Sequence, residues 1–184
     1  MNYVDAIKDR TEIDAFTHLL NKKGGQLYAD IWKVGINLGL RISDLLCIRY
    51  EDLNLEDKHL VLKEQKTQKR KEIRLNDVVI EIVKRRKGEY PNDIYLFQVH
   101  SNRMKNKPIS RFSVSQTFKD CGEILGLKIN THSMRKTRGH IMYSDNVPIE
   151  MIAKVLNHSS PSVTMRYLGI TRDEVLQTYE TYQL

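Results

Sequence analysis

The sequence predicts a mainly α-helical domain carrying one small antiparallel β-hairpin. Three observations point there. Apolar residues recur at three-to-four spacing through most of the 184 residues, and the period shortens to two only between His59 and Leu75. The apolar share of 40% is enough for one core, that of roughly one domain of ~100–200 residues, and no repeat or linker divides the chain.

The first helix is carried by Ile13, Phe16 and Leu20, with Thr11 and Asp14 as a capped start and Gly24-Gly25 as a stop. Leu27, Ile31, Val34 and Leu38 form a second helix up to Gly39. After the break at Gly39-Leu40-Arg41, Ile42, Leu45 and Leu46 continue as a third. HLVLKEQ from His59 and KEIRL from Lys71 read as strands, and Lys66-Thr67-Gln68-Lys69 between them makes a basic turn. Asn76 caps a helix through Val79, Ile82 and Val83 that Gly88 can end.

A loop from Glu89 to Pro108 follows, broken by IYLF. Helices resume from Ser110 to Leu125, with Gly126 as a stop, and from about His132 to Ser144, with Asp145-Asn146 as the turn. Pro148 suits the first turn of a short helix with Met151, Ile152, Val155 and Leu156, and Asn157-His158-Ser159 lies just past its end. Pro161 opens another turn. Thr171-x-x-Glu174 resembles a capping box before a polar terminal helix.

No run of 18 apolar residues occurs, and the charged start MNYVDAIKDR lacks the apolar stretch of a secretion signal, so the reading is a soluble, intracellular protein. Cys47 and Cys121 stand alone without a Cys-x-x-Cys pair and read as two reduced core thiols. Lys plus Arg number 30 against 23 Asp plus Glu, a net charge of +7, which favours a polyanionic partner. The basic residues cluster. Six lie between Lys63 and Arg74 against two acids; Lys84-Arg85-Arg86-Lys87 form a second group, and Arg103, Lys105, Lys107 and Arg111 a third. Neither a phosphate-binding Gly-x-x-x-x-Gly-Lys-Ser/Thr loop nor a Gly-x-Gly-x-x-Gly turn is present, which argues against nucleotide hydrolysis and dinucleotide binding. The absence of His-Glu-x-x-His, or of carboxylates grouped with the histidines, argues against a metal.

His132-x-x-Arg135 places two polar side chains on one helix face. His158 follows 23 positions after Arg135, and Tyr167 comes nine after that. Upstream lie Gly39-Leu40-Arg41-Ile42-Ser43-Asp44 and the Lys66 turn. In these ordered positions the chain resembles the tyrosine recombinases, the phage-integrase family, from roughly Arg10 to Leu184. The resemblance implies the tyrosine recombinase catalytic-domain fold. It implies Tyr167 as nucleophile, Arg41 and Arg135 as the clamp on the scissile phosphate, Lys66 as the hairpin lysine, His132 and His158 completing the set, and Asp44 supporting the site from behind.

Chemistry gives each assignment a reason. Attack on a phosphodiester builds negative charge on the non-bridging oxygens, which planar guanidinium forks match bidentately, so two arginines can replace a metal. A tyrosine, with an ordinary pKa of about 10, needs cationic neighbours or a base, for which His132 is the candidate. The departing 5′ oxygen needs a proton, and Lys66 on a projecting hairpin could supply it. His158 would hydrogen-bond and position the phosphate. One phosphodiester is exchanged for another, so rejoining needs no ATP and no cofactor is expected.

Rival assignments remain. Tyr143, Tyr179 and Tyr182 compete with Tyr167; Lys63, Lys69 and Lys71 compete with Lys66; Arg41 could merely cap a helix. Arg138 and His140 read as solvent-facing or phosphate-contacting. Lys69, Arg70 and Lys71 are assigned to DNA binding, and the Lys84 to Lys87 cluster to phosphate affinity. The resemblance implies double-stranded DNA as partner, a homo-tetramer on DNA formed from free monomers, no membrane, and a cytoplasmic setting in a bacterium or encoded by a phage. It further implies one catalytic domain over residues 1–184, with 171–184 exchanged between protomers. The core-binding domain that usually precedes this fold is not expected in this chain, whose DNA binding should then be weaker. Asn157 and Asn146 stand where the family usually has glycine, and asparagine tolerates left-handed backbone. Two other readings use the same residues: a DNA-binding regulator without strand exchange, and a relaxing topoisomerase of the related tyrosine type.

Overall fold

The computed structural model describes residues 4–100 and 106–181. Its elements run α1 (Arg10–Gly24), α2 (Gln26–Leu38), α3 (Ile42–Leu46), β1 (Leu53–Asn54), β2 (His59–Lys63), β3 (Arg70–Arg74), α4 (Asp77–Glu89), α5 (Arg111–Ile124), α6 (Ser133–Ser144), α7 (Ile149–Val155), α8 (Pro161–Leu168) and α9 (Arg172–Thr181). The expected class, mainly helical with a small antiparallel sheet, is what forms.

Helix α2 is the axis of the core. Ala29, Ile31, Trp32, Val34 and Leu38 are buried on it, and it packs against α1, α4 and α6. Phe16, Trp32 and Phe118 meet edge-to-face, with ring centroids 4.6 to 6.1 Å apart, joining α1, α2 and α5. The sheet runs β1-β2-β3, antiparallel throughout. Its register pairs Leu60 with Ile73 and Leu62 with Lys71, so these four side chains share one face.

Several local expectations are corrected. Asp9, not Thr11, caps α1: its carboxylate accepts from the amides of Thr11 (2.7 Å) and Glu12 (3.1 Å), which Thr11, already inside the first turn, cannot do. Helix α4 runs through Gly88 and stops only where Pro91 bars a helical residue before it. The two-residue β1 is too short to leave a period. IYLF does not float within its loop: Leu96 and Phe97 are buried, and Tyr95 and Gln98 bridge to Arg49 and Pro108. Pro161 opens not a lone turn but the eight-residue α8, capped by Ser160. Cys121 is buried but Cys47 is exposed, because it falls just past α3 on the outer side.

The Lys84 to Lys87 cluster is mostly structural. Arg86 is buried and donates to the Leu96 carbonyl (2.8 Å) and Asp30 (3.3 Å); Arg85 pairs with Asp30 (2.6 Å), and Lys87 with the Pro91 carbonyl (2.7 Å). A buried carboxylate at Asp30 needs cations, and α4 supplies two. Arg103, Lys105 and Tyr182 lie outside the described residues. No helix among the described residues is long and apolar enough to cross a membrane.

Candidate active site

Two helix C-termini build the site. The last carbonyls of a helix lack intrahelical donors and carry partial negative charge, so they attract cations. At the end of α2, Gly39 adopts φ +61° and turns the chain, leaving its carbonyl to accept from Arg135. Arg138 donates to the carbonyls of Asn37 and Ile36 on the same helix end. At the end of α7, Arg135 also donates to the Leu156 carbonyl, and Lys71 donates to that of Val155 at 2.8 Å. Arg135 is thereby buried with its guanidinium held from two sides, and two of its five N–H groups suffice for that. Arg138, expected in solvent or on phosphate, is instead a strut between α6 and α2.

Arg41 sits at the start of α3 and pairs through Nη1 with Glu64 Oε1 at 3.1 Å. Its side chain makes no capping bond there, so the helix-cap alternative falls away. Glu64 has no exposed surface. Its other oxygen accepts from Thr67 Oγ1 (2.6 Å) and from Asn157 Nδ2. Burial alone would raise its pKa, but Thr67, Arg41, Asn157 and Lys71 together hold the carboxyl below the usual range.

Tyr167 lies in the last turn of α8, ended by Gly169 at φ +79°. Its hydroxyl donates to the His132 carbonyl at 3.3 Å, and its ring meets that of His158 edge-on, centroids 4.9 Å apart. Burial raises its pKa, while the guanidinium groups of Arg135 and Arg41 pull the other way. The rivals Tyr143 and Tyr179 are exposed. His158 shares a hydrogen bond with Thr164 Oγ1 (2.9 Å), and burial, with Arg135 and Arg41 adding, pushes its pKa down to about 4. His132 occupies the N-cap position of α6 with its ring exposed; desolvation by the surrounding protein, then Arg111, Arg135 and Arg41, lowers its pKa. It meets Tyr167 through its carbonyl rather than its imidazole, and a carbonyl cannot take the proton.

Lys66 is exposed in the hairpin turn. Asp44, buried on α3, accepts from the Gln65 amide at 2.9 Å and so fixes the residue before Lys66. Lys69 and Arg70 are exposed, as a DNA contact requires. Lys71 is not: its amine points inward to Val155, and burial lowers its pKa. The structure thus brings Arg41, His132, Arg135, His158 and Tyr167 together in one cluster, to which the turn holding Lys66 is tied through Glu64 and Arg41, and through Gln65 and Asp44. No group of three His, Cys, Asp or Glu residues that could hold a metal is found among the described residues.

Residues 9–174 match the sequence profile of the phage integrase family. The chain belongs to that family. By that membership it is a tyrosine-type site-specific recombinase. A probable integrase/recombinase of Bacillus subtilis is 36% identical over 188 residues, covering 99% of this chain and 98% of that protein. Tyrosine recombinase XerA of Pyrococcus horikoshii is 29% identical over 147 residues, and a probable integrase/recombinase of Acholeplasma phage L2 is 26% identical over 172. The chain spans 51% and 58% of those two proteins. In fold it is similar to the Tn1549 transposon integrase (TM-score 0.76, 15% identity, 97% of this chain and 66% of that one) and to XerA recombinase (0.72, 16%, 100% and 66%).

Sequence reasoning missed Glu64 beside these residues and misplaced Lys71, which was assigned to DNA but turns inward to the Val155 carbonyl. A signal existed. Strand alternation puts Glu64 on the face of Leu60 and Leu62, and Lys71 on that of Ile73, so each is a charge written into an apolar-face position.

Proposed function

We propose that the recombinase cleaves one DNA strand by attack of the Tyr167 hydroxyl oxygen on a backbone phosphorus. The new bond is a 3′-phosphotyrosyl ester, and the bond that breaks is the one to the 5′ oxygen. The Tyr167 proton passes to the imidazole of His132, whose low pKa keeps it neutral and able to accept. The 5′ oxygen takes a proton from Lys66. Arg41 and Arg135 stabilise the charge building on the non-bridging oxygens, and His158 positions the phosphate. Attack by a 5′ hydroxyl reverses the step: on the same strand it reseals, on another it recombines. The exchange conserves bond energy and needs no cofactor.

The single observation that supports this most is the meeting of Tyr167 with Arg135 and His158, three groups from α6, α8 and the loop between α7 and α8. The hydroxyl bond to the His132 carbonyl is then a resting contact, replaced by the ring when DNA enters. DNA as substrate is supported by the exposed Lys69 and Arg70 of the hairpin. The Tn1549 transposon integrase, similar in fold, is seen in complex with transposon right end DNA, which supports the same substrate.

The test is covalent attachment to pooled nicked duplexes, read on a denaturing gel. Wild type should attach, and Tyr167→Phe should lose attachment entirely while still binding DNA. Binding without attachment in wild type would favour the regulator reading, and relaxation of supercoils without strand exchange the topoisomerase.

For assembly, the reading is a free monomer that tetramerises on DNA by exchanging residues 171–184. Gly169, left-handed at φ +79°, separates α9 from α8, and Leu176 and Tyr179 on α9 are exposed with 48% and 79% of their surface open. Deletion of 171–184 should abolish multimers crosslinked on DNA; multimers that survive it would overturn the exchange.

A further inference from the structure

Glu64 lies outside the catalytic set, yet it touches three of the elements that carry it. A carboxylate with no exposed surface is costly unless every oxygen is matched. Here Oε1 takes Arg41 at 3.1 Å, and Oε2 takes Thr67 Oγ1 at 2.6 Å and Asn157 Nδ2. The three donors come from the start of α3, the hairpin turn and the loop between α7 and α8. Each is a catalytic side chain in the reading above or its immediate neighbour: Arg41 itself, Thr67 next to Lys66, and Asn157 next to His158. A second stitch runs beside the first, from Lys71 on β3 to the Val155 carbonyl. Asn157, which donates to Glu64, sits in a left-handed turn at φ +50°, a conformation asparagine tolerates better than most residues.

We infer that Glu64 is a positioning residue of the cleavage reaction, whose buried carboxylate aims the Arg41 guanidinium and docks the Lys66 turn against the His158 loop. The inference rests on the cleavage reading given under Proposed function. Its electrostatic sign makes it testable. Arg41, Arg135 and Lys71 stand close together, and the Glu64 carboxylate pairs with Arg41 and attracts the other two. If charge near the phosphate were all that mattered, neutralising Glu64 would strengthen the pull on DNA and speed cleavage. If Glu64 aims Arg41, neutralising it slows cleavage although binding is kept or tightened.

The experiment measures single-turnover covalent attachment at saturating DNA, using duplexes selected from the nicked pool by attachment to wild type. Glu64→Gln, which keeps the shape and removes the charge, should attach ~10- to 100-fold more slowly with DNA affinity unchanged or higher. Because Glu64 acts through Arg41, Glu64→Gln added to Arg41→Lys should slow the reaction little further. A folded Glu64→Gln that attaches at the wild-type rate overturns the inference, as does a fully additive double variant. If Glu64→Gln fails to fold, Thr67→Val removes one donor and leaves the carboxylate: a several-fold slowing supports the inference, and an unchanged rate overturns it. Wild type that never attaches overturns the cleavage reading and this inference with it, whereas wild type that attaches and variants that match it overturn this inference alone.

Discussion

At the scale of single residues, charge in the cleft is set by what surrounds each group rather than by its type. His158 faces Arg135, Arg41 and the Tyr167 ring, and its pKa falls to about 4 against an ordinary value near 6.5. Between those values the unfolded chain binds the proton and the folded chain does not, so His158 contributes stability above about pH 6.5 that is lost as pH falls toward 4. His158→Asn should therefore flatten the fall in urea midpoint between pH 7 and pH 5, compared with wild type. An equal fall in both proteins would show that His158 is not shielded. Glu64 acts in the same direction. Its lowered pKa favours folding above the ordinary carboxylate range, so the cleft as a whole prefers neutral pH to acid. The residue types were legible from the spacing of Arg41, His132, Arg135, His158 and Tyr167, but the depth of each group was not, since burial depends on elements far apart in the chain.

Helix ends do for the elements what pairing does for residues. The left-handed Gly39 closes α2, frees its carbonyl for Arg135 and sets Arg41 two residues on at the start of α3. A Cβ there would come within 2.8 Å of the Arg138 side chain and sit at φ +61°. Gly39→Ala should lower stability by about 1 kcal/mol or more, seen as a lower urea midpoint, and, on the proposed reading of Arg41 and Arg135 as the phosphate clamp, should slow covalent attachment because both take their places from this turn. The break at Gly39-Leu40-Arg41 was visible in sequence, since glycine after a periodic run is a stop signal. Gly88 gave the same signal and was passed over: nothing in its surroundings requires a positive φ, and α4 continues until Pro91. A glycine ends a helix when the chain must turn there, and the next element decides that.

Across the whole molecule, the basic clusters divide into those that face out and those spent inside. Lys69 and Arg70 are exposed at the hairpin, whereas Arg85 and Arg86 neutralise the buried Asp30. Replacing Lys69 or Arg70 by alanine should reduce the slope of log affinity against log salt by about 1 each, measured by titration of DNA at several salt concentrations. Arg86→Ala should leave that slope unchanged and lower thermal stability instead, because it strands Asp30 and the Leu96 carbonyl. The sequence by itself determined the helical class, the hairpin and most element boundaries, because periodicity is a local property, and its ordered Arg41, Lys66, His132, Arg135, His158 and Tyr167 carried the resemblance to the tyrosine recombinases. Only the tertiary structure decided which cations serve the surface, that Lys71 and Arg138 turn inward, and that Glu64 ties Arg41 to the hairpin. Those outcomes follow from contacts between α2, the hairpin, α6 and α7. A charge is buried or solvated by neighbours that lie tens of residues away, and no local pattern encodes that distance.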